Sequence, residues 1–157
     1  MAVEPADMVP IEEITPSVLD VAQLLRARTK NSSGMEVGTF TDDTRPTSAQ
    51  VAGLAAQAAT HIQVRLVTSP PSEILGDAKG CAALLTAMLV ELSYFPEQVD
   101  SGRSPYDQLR ALLDLRLGVL ASWVGGGVAG ELEVRSLRIP VLGLETIDED
   151  GVGQGGP

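Results

Sequence analysis

The stretch that decides the fold is Cys81-Ala82-Ala83-Leu84-Leu85-Thr86-Ala87-Met88-Leu89-Val90. Only Thr86 interrupts this apolar run, and the run is too short to span a bilayer. It lies inside a longer helical pattern, which we predict from about Ser72 to Tyr94. A helix that is apolar around most of its circumference is either the centre of a bundle or part of a subunit interface. The sequence alone leaves both alternatives open.

Two helices are predicted before this central segment. The first begins at Thr15, with Pro16 at the first helical position, where a missing N–H costs nothing. The second begins at Thr47 with a capping box, in which the side chains of Thr47 and Gln50 each accept the other residue's backbone N–H. Apolar residues repeat at helical spacing in both helices. They are Val18, Val21, Ala22 and Leu25 in the first helix, and Val51, Leu54, Ala55, Ala58, Ile62 and Leu66 in the second.

A fourth helix is predicted after Ser104, with Pro105 at its first position and Asp107 at its third. One side of this helix carries Tyr106, Leu109, Leu113, Leu117, Leu120 and Val124. A second apolar face carries Leu112, Leu115, Val119 and Trp123. Two buried faces on one helix are hard to satisfy inside a four-helix monomer. We therefore expect the second face to be either core or a subunit interface.

The chain changes character after the fourth helix. Gly125-Gly126-Gly127 and Gly130 end the helical pattern and predict a hinge. The segment from Glu131 to Val141 then alternates with the period of a strand, and no other segment of comparable quality could pair with it. We therefore expect an arm that reaches a neighbouring protein by exchanging main-chain hydrogen bonds. The apolar residues that would fill pockets on that protein are Leu132, Val134, Leu137 and Ile139.

Together these segments predict an all-α fold. It is a four-helix bundle with a long loop between helices one and two and an extended C-terminal arm that contains a short β-strand. We divide the chain into an acidic N-terminal extension (residues 1–14), a helical domain (15–124) and a glycine hinge with the arm (125–157). Aromatic residues make up only 3% of the chain. A core of Leu, Val and Ala buries little area per residue, which favours support from neighbouring subunits.

Charge is concentrated at the two ends of the chain. The formal net charge is -10. Residues 1–14 and residues 145–150 each carry four acids and no base, which leaves 13 acids against 11 scattered bases for the rest. Binding to a nucleic-acid backbone needs clustered Lys and Arg, so sequence-specific DNA binding is not expected. The acidic, proline-interrupted N-terminus does not resemble a signal peptide, and the single Cys81 suits a reducing cytoplasm.

No pattern in the sequence predicts an enzyme. His61 is the only histidine, and catalysis or metal binding would need partners for it. Asp42 and Asp43 are adjacent, so their side chains point in different directions, and a metal site would want further oxygen ligands. We interpret them as loop-turn and helix-terminus residues near Thr47. We expect no catalytic residue, no metal and no cofactor.

A resemblance rests on the order of three segments. An apolar helical segment ends in Leu24-Leu25-Arg26-Ala27-Arg28-Thr29-Lys30, the stretch Phe40-Thr41-Asp42-Asp43-Thr44-Arg45-Pro46-Thr47 follows, and the capped second helix comes next. In this order the segments resemble the head-tail connector proteins of long-tailed bacteriophages, especially phages of actinobacteria. These proteins are also called adaptor or head-completion proteins of the siphophage type. The resemblance covers roughly Thr15 to Val124.

The resemblance implies a non-enzymatic virion protein at the head-tail interface, assembled in the host cytoplasm. The connector proteins that the chain resembles form homo-oligomeric rings, usually of twelve copies, beneath the portal protein of the phage head. The ring continues the DNA channel and provides the platform for the stopper or tail-terminator protein. Genomic DNA would pass through without sequence-specific binding, and no membrane is involved. A different small helical capsid-associated or tail-assembly protein is the alternative.

The same resemblance gives roles to three sets of residues. Leu112, Leu115, Val119 and Trp123 would form the subunit interface of the ring. Leu132, Val134, Leu137 and Ile139 would bind the portal or a neighbouring subunit. The loop from Lys30 to Arg45 would face the channel or the tail-side partner, and it carries Phe40, Asp42, Asp43 and Arg45.

Overall fold

The computed structural model describes residues 9–66 and 72–125, without the side chains of residues 72, 73 and 123–125. These ranges are mainly helical and hold no strand, in agreement with the predicted all-α class. The helices are α1 (Ile11–Ile14), α2 (Val18–Leu24), α3 (Ser48–Gln63), α4 (Ser72–Tyr94), α5 (Pro96–Asp100) and α6 (Tyr106–Gly125), with a 3-10 turn (Arg26–Arg28) after α2. The predicted hinge beyond Gly125 and the predicted arm lie outside the described residues.

Helix α4 lies at the centre of the described fold. Every residue from Cys81 to Glu91 is buried, and the helix contacts α1, α2, α3, α5 and α6. A helix enclosed in this way by its own chain is the core of a single copy. The structure therefore decides between the two alternatives that the apolar run left open. The largest apolar side chains at its centre are Leu84, Leu85 and Met88.

The first predicted helix begins later and ends earlier than expected. Thr15 follows α1 rather than starting α2, and its backbone N–H and hydroxyl both donate to the carbonyl of Ile11, at 2.9 and 2.6 Å. The N-cap of α2 is Ser17, which forms a capping box with Asp20. The hydrogen bond from the Ser17 backbone N–H is the main reason that the pKa of Asp20 is lowered from 3.8. The expected apolar face is confirmed at Val21, Ala22 and Leu25, which are buried.

The residues before α2 belong in part to the core. Val9 and Ile14 are fully buried, and the Gln63 side chain of α3 donates to the Val9 carbonyl at 2.7 Å. The predicted boundary between an acidic extension and the helical domain, after residue 14, is therefore too late in the chain. The division was based on the four acids of residues 1–14 and did not consider the apolar Val9 and Ile14.

Helix α3 begins as the sequence predicts. Thr47 is its N-cap and forms the predicted capping box with Gln50, with N···O distances of 3.3 and 2.9 Å. Val51, Ala55, Ala58 and Ile62 are buried. The short helix α5 was not predicted, because its five residues contain too little periodicity to be recognised.

The long loop before α3 is stabilised by its own hydrogen bonds. Lys30 and Glu36 form an isolated antiparallel bridge, closed by a turn at Gly34, whose φ of +82° favours glycine. Further along, Thr44 is buried, and its hydroxyl accepts the Thr41 N–H at 2.9 Å and lies 2.7 Å from the Pro46 carbonyl. The Phe40-to-Thr47 stretch is therefore a compact corner that leads into α3.

Candidate assembly surface

Helix α6 carries apolar side chains on two separate faces. The inner face packs against α4 and consists of Leu109, Leu113, Leu117 and Leu120, all buried. On the outer face, Leu112 is 40% exposed, Leu115 68% and Val119 53%. The sequence left core and subunit interface as alternatives for this second face. Its exposure shows that it is not part of the core formed by the described residues.

The exposed apolar residues of the outer face are spaced like the seam of a coiled coil. Leu112, Leu115 and Val119 follow one another at intervals of three and four residues. This average spacing of 3.5 residues keeps side chains aligned along one line of a helix. We name these three residues the α6 stripe. A stripe of this kind can bind another apolar surface, but it offers no group for a chemical reaction.

The two borders of the α6 stripe differ in chemistry. On one side lies Arg116, whose side chain rests against Gly80 of α4, where a Cβ would meet the guanidinium. Arg116 is exposed, and no carboxylate of the described residues forms a salt bridge with it. On the other side lie Ala111, Gly118 and Ser122, which are small and would allow a partner to approach closely. Among the described residues, the stripe is thus apolar with one cationic border and one border of small residues.

Several predicted site residues cannot be placed at side-chain level. Trp123 lies in the last turn of α6, one helical turn beyond Val119, but its side chain is outside the described residues. The residues predicted for the arm are also outside them. They are Leu132, Val134, Leu137 and Ile139.

The predicted channel- or tail-facing residues separate into two groups. Phe40 is only 3% exposed and belongs to the hydrophobic core, so the prediction that it faces a channel or partner is wrong. A large aromatic ring gains more from burial than from exposure to water, and here it anchors the loop. Asp42, Asp43 and Arg45 are exposed and remain available to a partner.

The two aspartates do not form a joint site. The Asp43 carboxylate accepts the Ser32 hydroxyl at 2.9 Å, whereas the Asp42 carboxylate lies 3.4 Å from the Ser48 hydroxyl at the start of α3. Their separate partners agree with the interpretation as turn and helix-terminus residues. The loop also exposes Met35 and Val37, which sequence reasoning did not single out because two isolated apolar residues in a loop give no pattern.

Sequence reasoning also missed a buried polar cluster. Glu91 of α4 is fully buried, and its two carboxylate oxygens accept Arg28 Nε and Nη2 at 2.8 and 2.7 Å. The Ser104 hydroxyl donates to Glu91 at 2.7 Å and accepts the Tyr106 N–H at 3.1 Å. Arg28 also lies 3.9 Å from the ring centroid of Phe95. The available signal in the sequence was Glu91 itself, an acidic residue directly after the apolar run 81–90. Its position on a buried helix indicates that it needs a basic partner, but the sequence does not say which Arg supplies it.

The described residues contain no group of three or more His, Cys, Asp and Glu residues that could hold a metal ion. Burial raises the pKa of the Cys81 thiol to about 12, so it stays protonated and is a poor nucleophile at neutral pH. His61 is exposed, and no described hydrogen bond holds it in a catalytic arrangement.

Comparisons with known proteins do not identify a relative. No family model, no curated protein and no solved structure matches the chain. Among the described residues, no helix is long and apolar enough to cross a membrane.

Proposed function

We propose that this protein is a structural virion protein, a head-tail connector that forms a ring between the portal of a phage head and the stopper or tail. The observation that carries the proposal is the exposed α6 stripe on a helix whose other apolar face is core. Contiguous exposed apolar patches are typical of protein–protein contact sites, and the regular spacing of the stripe makes it such a patch. In this proposal, Trp123 completes the subunit contact at the end of the stripe.

The architecture that we propose follows the sequence-based prediction. Helices α2, α3, α4 and α6 form the four-helix bundle, and the residues after Gly125 form an extended arm with a short strand. The arm binds the portal or the next subunit through Leu132, Val134, Leu137 and Ile139, and the loop residues Asp42, Asp43 and Arg45 face the channel or the tail-side partner. We propose a ring of twelve copies, which is the usual number in the family that the chain resembles.

The geometry of a ring restricts what the α6 stripe contacts. Two stripes packed against each other would give an isologous pair, which closes as a dimer. A ring needs a heterologous contact, in which the stripe of one copy meets a different surface of the next copy. We therefore propose that the stripe binds a surface outside α6 on the neighbouring subunit.

The proposed channel needs no specific DNA contacts. A lining that is neutral or acidic does not grip phosphates, and DNA can slide past it. The 13 acids and 11 bases outside the two acidic ends are nearly balanced, which supports this role. Function in this proposal is mechanical: the ring holds a symmetric interface and lets DNA pass.

The test compares matched variants of the full chain. Wild type, Leu115→Ser and Asp114→Ser are each mixed with the portal protein of the same phage, and the products are examined by light scattering and negative-stain electron microscopy. We expect rings on the portal for wild type and for Asp114→Ser, because Asp114 lies outside the stripe. We expect the Leu115→Ser variant to keep its circular dichroism spectrum and to lose ring formation.

Two other outcomes would contradict the connector role or the role of the stripe in it. A wild-type protein that stays a monomer or dimer and ignores the portal would favour another capsid-associated or tail-assembly role. Rings that form equally well with Leu115→Ser and with a triple Leu112→Ser, Leu115→Ser, Val119→Ser variant would remove the stripe from the interface.

A further inference from the structure

We propose that the surface that receives the α6 stripe in the ring is a hairpin of the neighbouring copy, at Met35 and Val37. We name these two residues the hairpin patch. The inference rests on the proposed function, because a ring requires the stripe to meet a different surface of a second copy, and it deepens that function by identifying this surface. The distribution of exposed apolar side chains, the hydrogen bonds of the hairpin and the charges beside the two patches support it.

The distribution of exposed apolar side chains selects the hairpin. Outside α6, the described residues expose five large apolar side chains, which are Leu19, Leu24, Met35, Val37 and Val64. Leu19 and Leu24 are five positions apart on α2, which places them about 140° apart around the helix axis, and Val64 stands alone after α3. Met35 and Val37 are two positions apart in an extended segment, so their side chains lie on one face. Among the described residues outside α6, no other element presents two such side chains on one face.

The hairpin that carries this patch is held in place by hydrogen bonds. The Val37 N–H donates to the Thr29 carbonyl at 2.8 Å, and the Asn31 N–H donates to the Met35 carbonyl at 2.9 Å. The Asn31 side chain also accepts the Met35 N–H at 2.9 Å. Because both patch residues are fixed through their own backbone, a partner that covers them orders few additional groups, which favours binding.

The charges beside the two patches are opposite. Arg116 borders the α6 stripe, is exposed, and has no salt bridge to a carboxylate of the described residues. At the turn of the hairpin, the Asp43 carboxylate accepts the hydroxyl of Ser32 at 2.9 Å and its N–H at 3.3 Å. Asp43 is exposed, and no base of the described residues forms a salt bridge with it. An exposed cation on one patch therefore has an exposed anion to meet on the other.

The other charges of the hairpin do not oppose this pairing. Lys30 and Glu36 stand opposite each other in the antiparallel bridge, so their charges offset one another, and the side chain of Glu36 lies on the face opposite to the patch. Residues 31–45 contain three acids and one base. An Arg116–Asp43 pair across the contact adds a modest gain at an exposed site. In the ring, Asp43 then lies where two copies meet, at the edge of the loop that faces the channel or the tail-side partner.

The size of the contact indicates that it depends on the portal. A standard stable interface takes about 20–30 residues from each partner, whereas the two patches together contribute five large apolar side chains. Free copies should therefore associate only weakly through this contact. Copies bound to the portal are held side by side, which raises the effective concentration of each patch beside the other. The inference is therefore tested on the portal.

The test links the two surfaces chemically. Ser33→Cys places a thiol at the turn of the hairpin, and Ala111→Cys or Ser122→Cys places one on the small-residue border of the stripe. All three positions are exposed and outside the two patches, and the native Cys81 is buried. The full-length variants are mixed with the portal protein of the same phage, and rings are recorded by negative stain. A short bismaleimide, which joins two thiols, is then added, and the products are separated on a denaturing gel.

We expect an equal mixture of Ser33→Cys and one stripe-border variant to give cross-linked dimers, because the hairpin of one copy meets the stripe of the next. A chain that carries both changes should give a ladder of higher oligomers, since each copy then has a thiol on both of its contacts. None of the variants with one added Cys should cross-link to itself. Val64→Cys is the matched control for the hairpin, because Val64 is exposed but outside the hairpin patch, and its mixture with Ala111→Cys should give no dimers.

The charge pairing has a test of its own. In the chain with both added cysteines, Arg116→Glu should lower the yield of cross-linked product by about two- to five-fold, as expected for an exposed ion pair. Adding Asp43→Arg should restore the yield. Arg110→Glu makes the same change at an exposed position of α6 outside the stripe and should leave the yield unchanged. An Asp43→Arg change that restores nothing would show that these two residues do not meet.

Three results would overturn the inference. The first is rings on the portal without dimers from Ser33→Cys mixed with either stripe-border variant. The second is dimers from Ala111→Cys alone, which would mean that two stripes meet. The third is an equal yield of dimers when Val64→Cys replaces Ser33→Cys.

The inference and the proposed function can fail separately. Rings without the expected dimers would leave the proposed function and remove the inference. Dimers from the mixed variants without any ring on the portal would keep the contact between hairpin and stripe and remove the proposed function. The absence of both rings and dimers would remove both.

Discussion

At the scale of single residues, Glu91 has the most demanding environment in the described fold. Its carboxylate is fully buried, and burial of a charge is costly unless the charge is paired and hydrogen-bonded. Arg28 and Ser104 supply those bonds. They come from the turn after α2 and from the start of α6, so the cluster joins three parts of the chain. The desolvation of a buried ion pair offsets much of its attraction, so we expect this pair to add little net stability compared with apolar residues of the same volume.

Removal of one partner of this pair should be much more damaging than replacement of both. We expect Glu91→Ala to lower the free energy of unfolding by about 3 kcal/mol, because Arg28, whose side chain is only 14% exposed, would be left without its partner. The double variant Arg28→Met, Glu91→Met should lie closer to wild type, because Met fills similar volume without a charge. Urea unfolding followed by circular dichroism measures both. Equal losses in the two variants would show that the ion pair itself stabilises the fold.

At the scale of elements, α6 carries one apolar face that is buried and one that is exposed. Leu113 is 1% exposed and packs in the core, whereas Leu115, two residues later, is 68% exposed. The same chemical change on the two faces should therefore have different effects. This contrast provides a matched pair of variants within one helix.

We expect Leu113→Ala to lower the free energy of unfolding by about 2–5 kcal/mol, because it leaves a cavity against α4. Leu115→Ala should change it by no more than about 0.5 kcal/mol, as for other exposed sites. Chemical denaturation of both variants in the free protein gives the comparison. A loss for Leu115→Ala as large as that for Leu113→Ala would place Leu115 in a buried environment within a single copy.

At the scale of the whole molecule, the type of contact decides how assembly responds to salt. Contacts through an apolar stripe do not weaken when ions screen charges, whereas surface ion pairs do. The net charge of -10 also makes copies repel one another, and salt reduces this repulsion. Added salt should therefore leave the apolar contacts of the proposed ring intact and reduce the repulsion between its copies.

We therefore expect rings on the portal to persist, or to increase, when sodium chloride is raised from about 0.1 M to about 1 M, where the Debye length falls from about 10 Å to about 3 Å. Light scattering across a salt series measures this. The Leu115→Ser variant is the control, and it should stay unassembled at every concentration. Rings that dissociate as salt rises would indicate contacts dominated by ion pairs instead of the stripe.

The sequence by itself determined the helical class and the capping box at Thr47, and it indicated that the apolar run in α4 is buried either in a core or in an interface. These features are local or depend on composition: a cap involves residues three apart, and an apolar run must be buried somewhere. The sequence also identified the second apolar face of α6, because helical periodicity places its residues on one side.

Only the tertiary structure decided which surfaces remain in water and which distant residues meet. It placed Phe40 in the core, brought Val9 and Ile14 into the helical domain, left the α6 stripe exposed, and joined Arg28 to Glu91 across 63 residues of chain. Each of these depends on how helices pack against one another. Periodicity gives the direction of a side chain from its own helix, but the partner that covers it is set by the packing of the whole fold.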